Sequence, residues 1–258
     1  MPPTHDHSCE GCAVPLDFDI RMAFQPIVDL RDSKVFAYEA LVRGPDGGSA
    51  ASVLDRVTPA NRYAFDQRCR VKAVEMAASL GVTTNLCINY MPNAVYEPIR
   101  CLRTTLEIAR RTGFPINRIV FEATEGERVR DPDHLRTILE VYKRQGFQTA
   151  IDDFGAGYAG LNLLAEFQPD IIKLDMALVR GIDANRARQA IVAGIIGICR
   201  LLHITVIAEG IETSAELKTL RELGVFLVQG YLFAKPAFEA LPPVDFSVTE
   251  PNRQAGAA

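Results

Sequence analysis

The chain has 258 residues, 48% of them hydrophobic and 23% charged, with 28 basic against 32 acidic side chains. That length and balance suit a single globular domain of α/β-barrel size with a substantial core. A formal net charge of −4 and a pI near 5.7 exclude a broad basic surface for duplex nucleic acid, and the longest apolar run, residues 190–199, has about half the ~20 residues of a membrane span.

The first twenty residues carry His, Asp and Pro and no apolar leader core, so no signal peptide is expected and a cytoplasmic location is. HDHSCEGC gathers His5, His7, Cys9 and Cys12 ahead of any strand pattern. These are soft-metal or redox ligand types, but a lone CxxC in a terminal segment is weak, and residues 1–17 are expected to be a flexible tail. Two strand-like runs, MAFQPIVDL and VFAYEALVR, follow on either side of the turn-like RDSK, a connection so short that it permits only an antiparallel hairpin. Residues 61–80 have helical apolar spacing and end at Gly81. A strand, TNLCINY, precedes a helical stretch over 93–113, and the strand NRIVFEATE precedes a helix that opens at Asp131-Pro132. QTAIDD, DIIKLD, ITVIAEG and VFLVQGYLF are the remaining strands, with helices expected over 158–167, 185–202 and 213–223; Thr213 or Ser214 with Glu216 forms a capping-box pattern. Strands alternating with helices imply parallel crossovers. The expected fold is an α/β (β/α)8 TIM-type barrel with an antiparallel first strand, covering residues 18–241, followed by a disordered tail over 242–258. Cys69, Cys87, Cys101 and Cys199 fall in helix- or strand-like segments and read as buried free thiols, and His134 and His203 read as structural.

Apolar runs in this chain end on polar residues. Glu39, Asn89, Glu122, the pair Asp152-Asp153, Lys173, Glu209 and Gln229 each terminate a strand pattern. In a barrel these ends converge on one face. Alone, each could cap a helix or sit exposed, but five converging carboxylates repel unless a cation lies among them. Oxygen ligands with no histidine or thiolate form a hard site, suited to Mg²⁺ or Mn²⁺, with one or two ions per site. The adjacent aspartates of IDDFGAG would then face shared metal.

In order along the chain stand QPI, EALVR, IN, FEATE, DDFGAGY, KLD, AEGIE and QGY, then Lys235-Pro236. On these motifs the chain resembles the bacterial EAL-domain family of cyclic di-GMP phosphodiesterases, from about Phe24 to Pro236. The resemblance implies a hydrolase that opens cyclic di-GMP to linear pGpG and so lowers a second messenger. It implies Glu39, Asn89, Glu122, Asp152 and Asp153 as metal ligands, and catalytic roles for Lys173, Glu209, Asp153 and Glu125. Lys173 and Glu209 would act on the attacking water, and Glu125 would steady the loop after the aspartates. Gln25, Leu41, Arg43, Gln229 and Pro236 are implied at the nucleotide. A homodimer is implied as well, with a sensor or regulator supplied in trans. Met91, Ala159, Gly160 and Gly44 depart from common residues of the family; none is a metal ligand, and they bear on substrate affinity and loop ordering. A non-catalytic receptor is the alternative reading. A Schiff-base aldolase through Lys173 is disfavoured, because a ring of carboxylates would raise rather than lower the lysine pKa.

Overall fold

The computed structural model describes residues 16–124, 132–156 and 160–249. Glu125, Asp131, residues 157–159 and the His5/His7/Cys9/Cys12 cluster lie outside the described residues.

Two strands, β1 (Arg21–Asp29) and β2 (Lys34–Arg43), form the hairpin required by their short connection. They pair antiparallel, with Gln25 opposite Glu39 and a register shift after Ile27. Six parallel strands follow: β3 (Asn85–Tyr90), β4 (Ile119–Thr124), β5 (Gln148–Phe154), β6 (Ile171–Leu174), β7 (Thr205–Ala208) and β8 (Leu227–Val228). The ladder runs from β2 to β8 in chain order and closes through β1, which pairs antiparallel with β8 at Val28 and Asp29. A short strand β9 (Ala237–Phe238) adds to the same edge of β1 at Ala23 and Phe24. The result is the closed barrel with the reversed first strand anticipated from the connection lengths.

The helices cover the barrel. They are α1 (Ala50–Leu54), α2 (Arg62–Ser79), α3 (Pro98–Cys101), α4 (Arg103–Thr112), α5 (Pro132–Arg144), α6 (Gly160–Glu166), α7 (Met176–Val179), α8 (Arg186–Leu201) and α9 (Ser214–Leu223). Residues 93–113 were expected as one helix; the chain instead makes a 3₁₀ turn at Pro92–Ala94, then α3 and α4. Pro98 accounts for the break, since it forces the preceding residue out of the helical region, and Glu97 is extended at φ −130°, ψ 105°. Side-chain caps hold the starts of α8 and α9. Asn185 accepts from the amides of Ala187 and Arg188 at the start of α8, and Thr213 with Glu216 forms the capping box of α9.

The core lies between strands and helices, as a sheath of Phe, Ile, Leu and Val around the barrel wall. Within it α2 buries a charged group. Arg70, fully buried, pairs with Asp66 one turn earlier, donates to Tyr142 Oη at 3.0 Å, and lies over the rings of Tyr90 and Phe121. The second oxygen of Asp66 accepts from the amide of Met91 at 2.9 Å, just past the end of β3. A buried charge is tolerated only when paired and hydrogen-bonded, and here the pairing also fixes where β3 ends. Beyond residue 241 the chain continues along the barrel, with Val244 and Phe246 packed against the core.

The four internal cysteines are buried and free. His134 makes a ring-nitrogen contact of 2.6 Å with the Val95 carbonyl, a structural tie between helix α5 and the segment after β3. Among the described residues no helix is long and apolar enough to cross a membrane.

Candidate active site

The barrel interior is organised by the two-residue period of a strand. One apolar ring takes a residue from every barrel strand: Ile27, Ala37, Cys87, Val120, Ala150, Ile171, Ile207 and Leu227. Two residues further along each parallel strand stand Glu39, Asn89, Glu122, Asp152, Lys173, Glu209 and Gln229. On the reversed strand β1 the same level is reached two residues earlier, at Gln25, opposite Glu39. The polar ring is therefore the apolar ring's next inward-facing level, displaced toward the end of the barrel where the parallel strands terminate. Glu209 and Gln229 lie one residue past β7 and β8, but the ladder continues through them. The Glu209 amide donates to Leu174 O at 3.2 Å and that of Gln229 to Ala208 O at 2.8 Å.

Lys173 is fully buried at the centre of this ring. Its Nζ lies 2.6 Å from Glu209 Oε1, 3.1 Å from Glu122 Oε2, 3.2 Å from Asp152 Oδ1 and 3.5 Å from Glu39 Oε2. Burial opposes the lysine charge, but these carboxylates outweigh it and hold the ammonium form well above its ordinary range. One ammonium cannot neutralise four carboxylates, and two of them are held above their ordinary range. Burial, and then the neighbouring Glu39 and Asp152, push Glu122 up to about 8 despite Lys173. Burial raises Glu209 as well, with Asp152 and Glu39 adding to it. Glu39 differs. Burial pushes it up, but Lys173 and the amides of Gln229 and Asn89 prevail, and its carboxyl lies below the usual range. Asn89 Nδ2 donates to Glu39 Oε1 at 2.9 Å, and Gln229 Nε2 donates to Glu39 Oε2 at 2.7 Å. Gln229 Nε2 also reaches Gln25 Oε1 at 3.2 Å, and Gln25 in turn donates to Ala234 O at 3.2 Å.

Asp153 would point to the outer face of a regular strand. The β5–β6 pairing instead shifts register between Ile151 and Phe154, and Asp153 adopts φ +54°, with its amide donating to Asp152 Oδ1 at 2.9 Å. A bulge of this kind re-aims a side chain beside a site. The left-handed conformation is one Asp tolerates better than most residues. Burial, the Asp152 charge and then Asp175 raise the Asp153 carboxyl to about 6.

Two sets of carboxylates bring one oxygen each within 4.8 Å of the others: Glu39, Glu122 and Asp152, and then Asp152, Asp153 and Glu209. Asp152 belongs to both. Among the described residues, Glu122 Oε1 and Gln229 Oε1 are buried and accept no hydrogen bond. Orphaned buried oxygens beside crowded carboxylates, in an all-oxygen donor set, fit a hard divalent cation.

Of the residues singled out from sequence, the barrel brings together Gln25, Glu39, Asn89, Glu122, Asp152, Asp153, Lys173, Glu209 and Gln229. Leu41 and Arg43 lie further along β2, both half-buried, and Arg43 Nη1 donates to the Val42 carbonyl at 2.8 Å. Pro236 is half-buried just before β9. Glu125 lies outside the described residues.

A cleft of about 180 Å³ opens above the ring, floored by Glu39, Glu209 and Gln229 and walled by Arg180, Glu212 and Tyr231. These wall residues are absent from the sequence-derived set. The wall is locked by backbone. A Cβ built on Gly230 would lie 2.0 Å from Ile211 O and 2.5 Å from Ile211 N, so only glycine fits there. Ile211 N donates to Gln229 O, and Leu232 N to Ile211 O, both at 3.1 Å.

A family model described as EAL domain matches residues 17–236. The chain is 31% identical over 240 residues to the blue light- and temperature-regulated antirepressor BluF of Escherichia coli, covering 93% of this chain and 60% of that protein. It is 30% identical over 257 residues to the cyclic di-GMP phosphodiesterase NbdA of Pseudomonas aeruginosa, covering 88% of this chain and 32% of that one. It thus spans less than two thirds of the length of these curated relatives. Among solved structures, a standalone EAL protein from Vibrio cholerae bound to c-di-GMP is 56% identical with a TM-score of 0.88, and 92% of this chain covers 100% of that one. A manganese and cyclic di-GMP complex of Klebsiella pneumoniae BlrP1 is 36% identical with a TM-score of 0.82, with 88% of this chain covering 59% of it.

Proposed function

The chain belongs to the EAL-domain family, and on that premise we propose that it hydrolyses cyclic di-GMP to linear pGpG with the help of Mg²⁺ or Mn²⁺. The observation that carries this reading is the complete polar ring. Every position at its level, from Gln25 to Gln229, holds an amide, a carboxylate or the central lysine, and none has reverted to an apolar residue.

Glu39, Asn89, Glu122 and Asp152 would hold one ion, and Asp152 and Asp153 a second, with Glu209 within reach of it. When bound, such ions polarise phosphoryl oxygens and acidify water. The chain's own groups do the rest. Asn89 and Gln229 fix both oxygens of Glu39, so that this carboxylate presents one orientation. Lys173 lies fully buried beneath the floor, and its ammonium would hold the surrounding carboxylates in place for the attacking water. Glu209, 2.6 Å from that ammonium, is placed to take the proton of the water.

A homodimer is part of the proposal. The outer face of α8 exposes Ile191 at 51%, Ile198 at 37% and Leu201 at 81%, with Gly194 among them and Ala187 one turn before, an apolar stripe that a second copy would cover. Light scattering on the purified chain should give twice the monomer mass; a monomer at micromolar concentration would refute this element.

The function is tested by incubating the protein with cyclic di-GMP and Mg²⁺ or Mn²⁺ and separating the products. A single pGpG product that disappears with EDTA is expected, with binding but little turnover in Ca²⁺. Hydrolysis in metal-stripped protein would refute the metal dependence. The second reading, a receptor that binds without turnover, is favoured by BluF's being named an antirepressor; tight binding with no product under any of these metals would establish it.

A further inference from the structure

The cleft floor is anionic, yet its wall carries a cation. Arg180 caps helix α7, and among the cleft's described lining residues it is the one basic side chain. Its Nη2 lies 2.5 Å from Glu212 Oε1, with the two side chains 54% and 45% exposed. They come from different loops, Arg180 after β6 and Glu212 after β7, and those loops are fastened together beneath the pair. The buried carboxylate of Glu216 accepts from Gly181 N at 2.8 Å through Oε1, and from Glu212 N at 3.1 Å and Thr213 N at 3.0 Å through Oε2. The Arg180 carbonyl is also held, by Arg188 Nη1 of α8. The guanidinium therefore stands on a fixed base, next to Gly181 in the left-handed conformation.

We propose that Arg180 is a specificity-determining residue, which reads the O6 and N7 edge of a guanine base when the cleft is filled and rests on Glu212 when it is empty. The proposal rests on the cyclic di-GMP reading above. A phosphodiester to be hydrolysed must lie over the carboxylate floor, so the wall meets a different part of the nucleotide, the base. Guanine presents two adjacent acceptors, O6 and N7, which a guanidinium fork matches in bidentate fashion, whereas adenine places an amino donor beside N7. An ion pair this exposed is worth little, so exchanging the Glu212 carboxylate for the base edge is readily reversed.

The test is calorimetry in Ca²⁺ with cyclic di-GMP and cyclic di-AMP, on the wild-type chain and on Arg180→Ala and Arg180→Lys. A Mn²⁺ titration of each variant, expected to match wild type, reports that the barrel is intact. Wild type should prefer cyclic di-GMP. Arg180→Ala should raise the Kd for cyclic di-GMP roughly 5- to 150-fold, the range of one bidentate guanine contact, with the Kd for cyclic di-AMP unmoved. Arg180→Lys keeps the charge but loses the fork, and should resemble the alanine variant. An equal shift for both nucleotides, full rescue by lysine, or retained selectivity in Arg180→Ala would each overturn this inference alone. Failure of the wild-type chain to bind either nucleotide would overturn it together with the reading on which it rests.

Discussion

Two rings of side chains line the inside of one barrel, a single strand period apart, and they answer to opposite rules. The lower ring, from Ile27 to Leu227, is apolar and buried, and contributes to stability as any core does. The upper ring, from Gln25 to Gln229, is equally shielded at most positions but crowds four carboxylates around one lysine. Folding alone would not select that arrangement, because burying like charges together opposes the folded state. The same backbone thus separates what holds the barrel from what the barrel holds. A two-residue step along a strand is enough to pass from one to the other.

The comparison can be broken first from above. Glu39→Ala should abolish both Mn²⁺ binding, followed by calorimetry, and pGpG formation, followed by chromatography. Thermal melting of the metal-free chain should fall by less than in the lower-ring variant below, because relief of carboxylate crowding offsets part of the cost of leaving the Asn89 and Gln229 amides unpartnered. Lys173→Ala and Glu209→Ala should each lose about 10²–10⁴-fold in turnover, the range of a positioned acid-base group, with a much smaller loss of nucleotide affinity in Ca²⁺. Wild-type rates in either would remove these residues from the water-handling role.

Broken from below, the pattern inverts. Ile207→Ala sits two residues before Glu209 and empties part of the lower ring. It should destabilise the chain by about 2–5 kcal/mol in urea unfolding. Mn²⁺ affinity measured on the folded population should stay near wild type. An unchanged unfolding midpoint would mean that the lower ring is not the packed layer described.

The smallest effect sharpens the contrast. Glu122 near 8 and Asp153 near 6 carry protons in the metal-free chain at lower pH, and a cation must displace them. Their carboxyls are raised, so protonation competes with metal below those values and not above. Mn²⁺ affinity should therefore climb between about pH 6 and pH 8 and level off beyond, by roughly tenfold per proton per pH unit where one proton is released. A flat profile across that window would show that the ring is ionised without metal.

Much of this was legible in the sequence. The hairpin followed from a connection too short for anything else, and the polar ring from runs that each stop on a carboxylate, an amide or the lysine. Asp153 was named beside Asp152, but not the means by which it arrives: alternation alone would send it outward, and it reaches the site because β5 bulges and its backbone turns left-handed. What escaped reading depends on three-dimensional closure. Arg180 and Glu212 are exposed, lie on separate loops and belong to no strand pattern, so nothing local announces that Glu216 holds them together. Arg70 reads as the polar side of a helix until α2, β3 and α5 enclose it. Pro98, by contrast, was visible, and its power to interrupt the expected helix over 93–113 follows from elementary backbone sterics.

The contact between Gly230 and Ile211 has an evolutionary consequence. With the glycine α-carbon set against a neighbouring backbone, the two terminal strand ends form one rigid edge, and Gln229 and Glu209 cannot be repositioned independently. Position 230 is closed to substitution by drift, because any side chain would have to prise apart the ends that carry both residues. Lineages that diversify in substrate preference are therefore expected to vary around the exposed Arg180 wall while leaving 230 untouched.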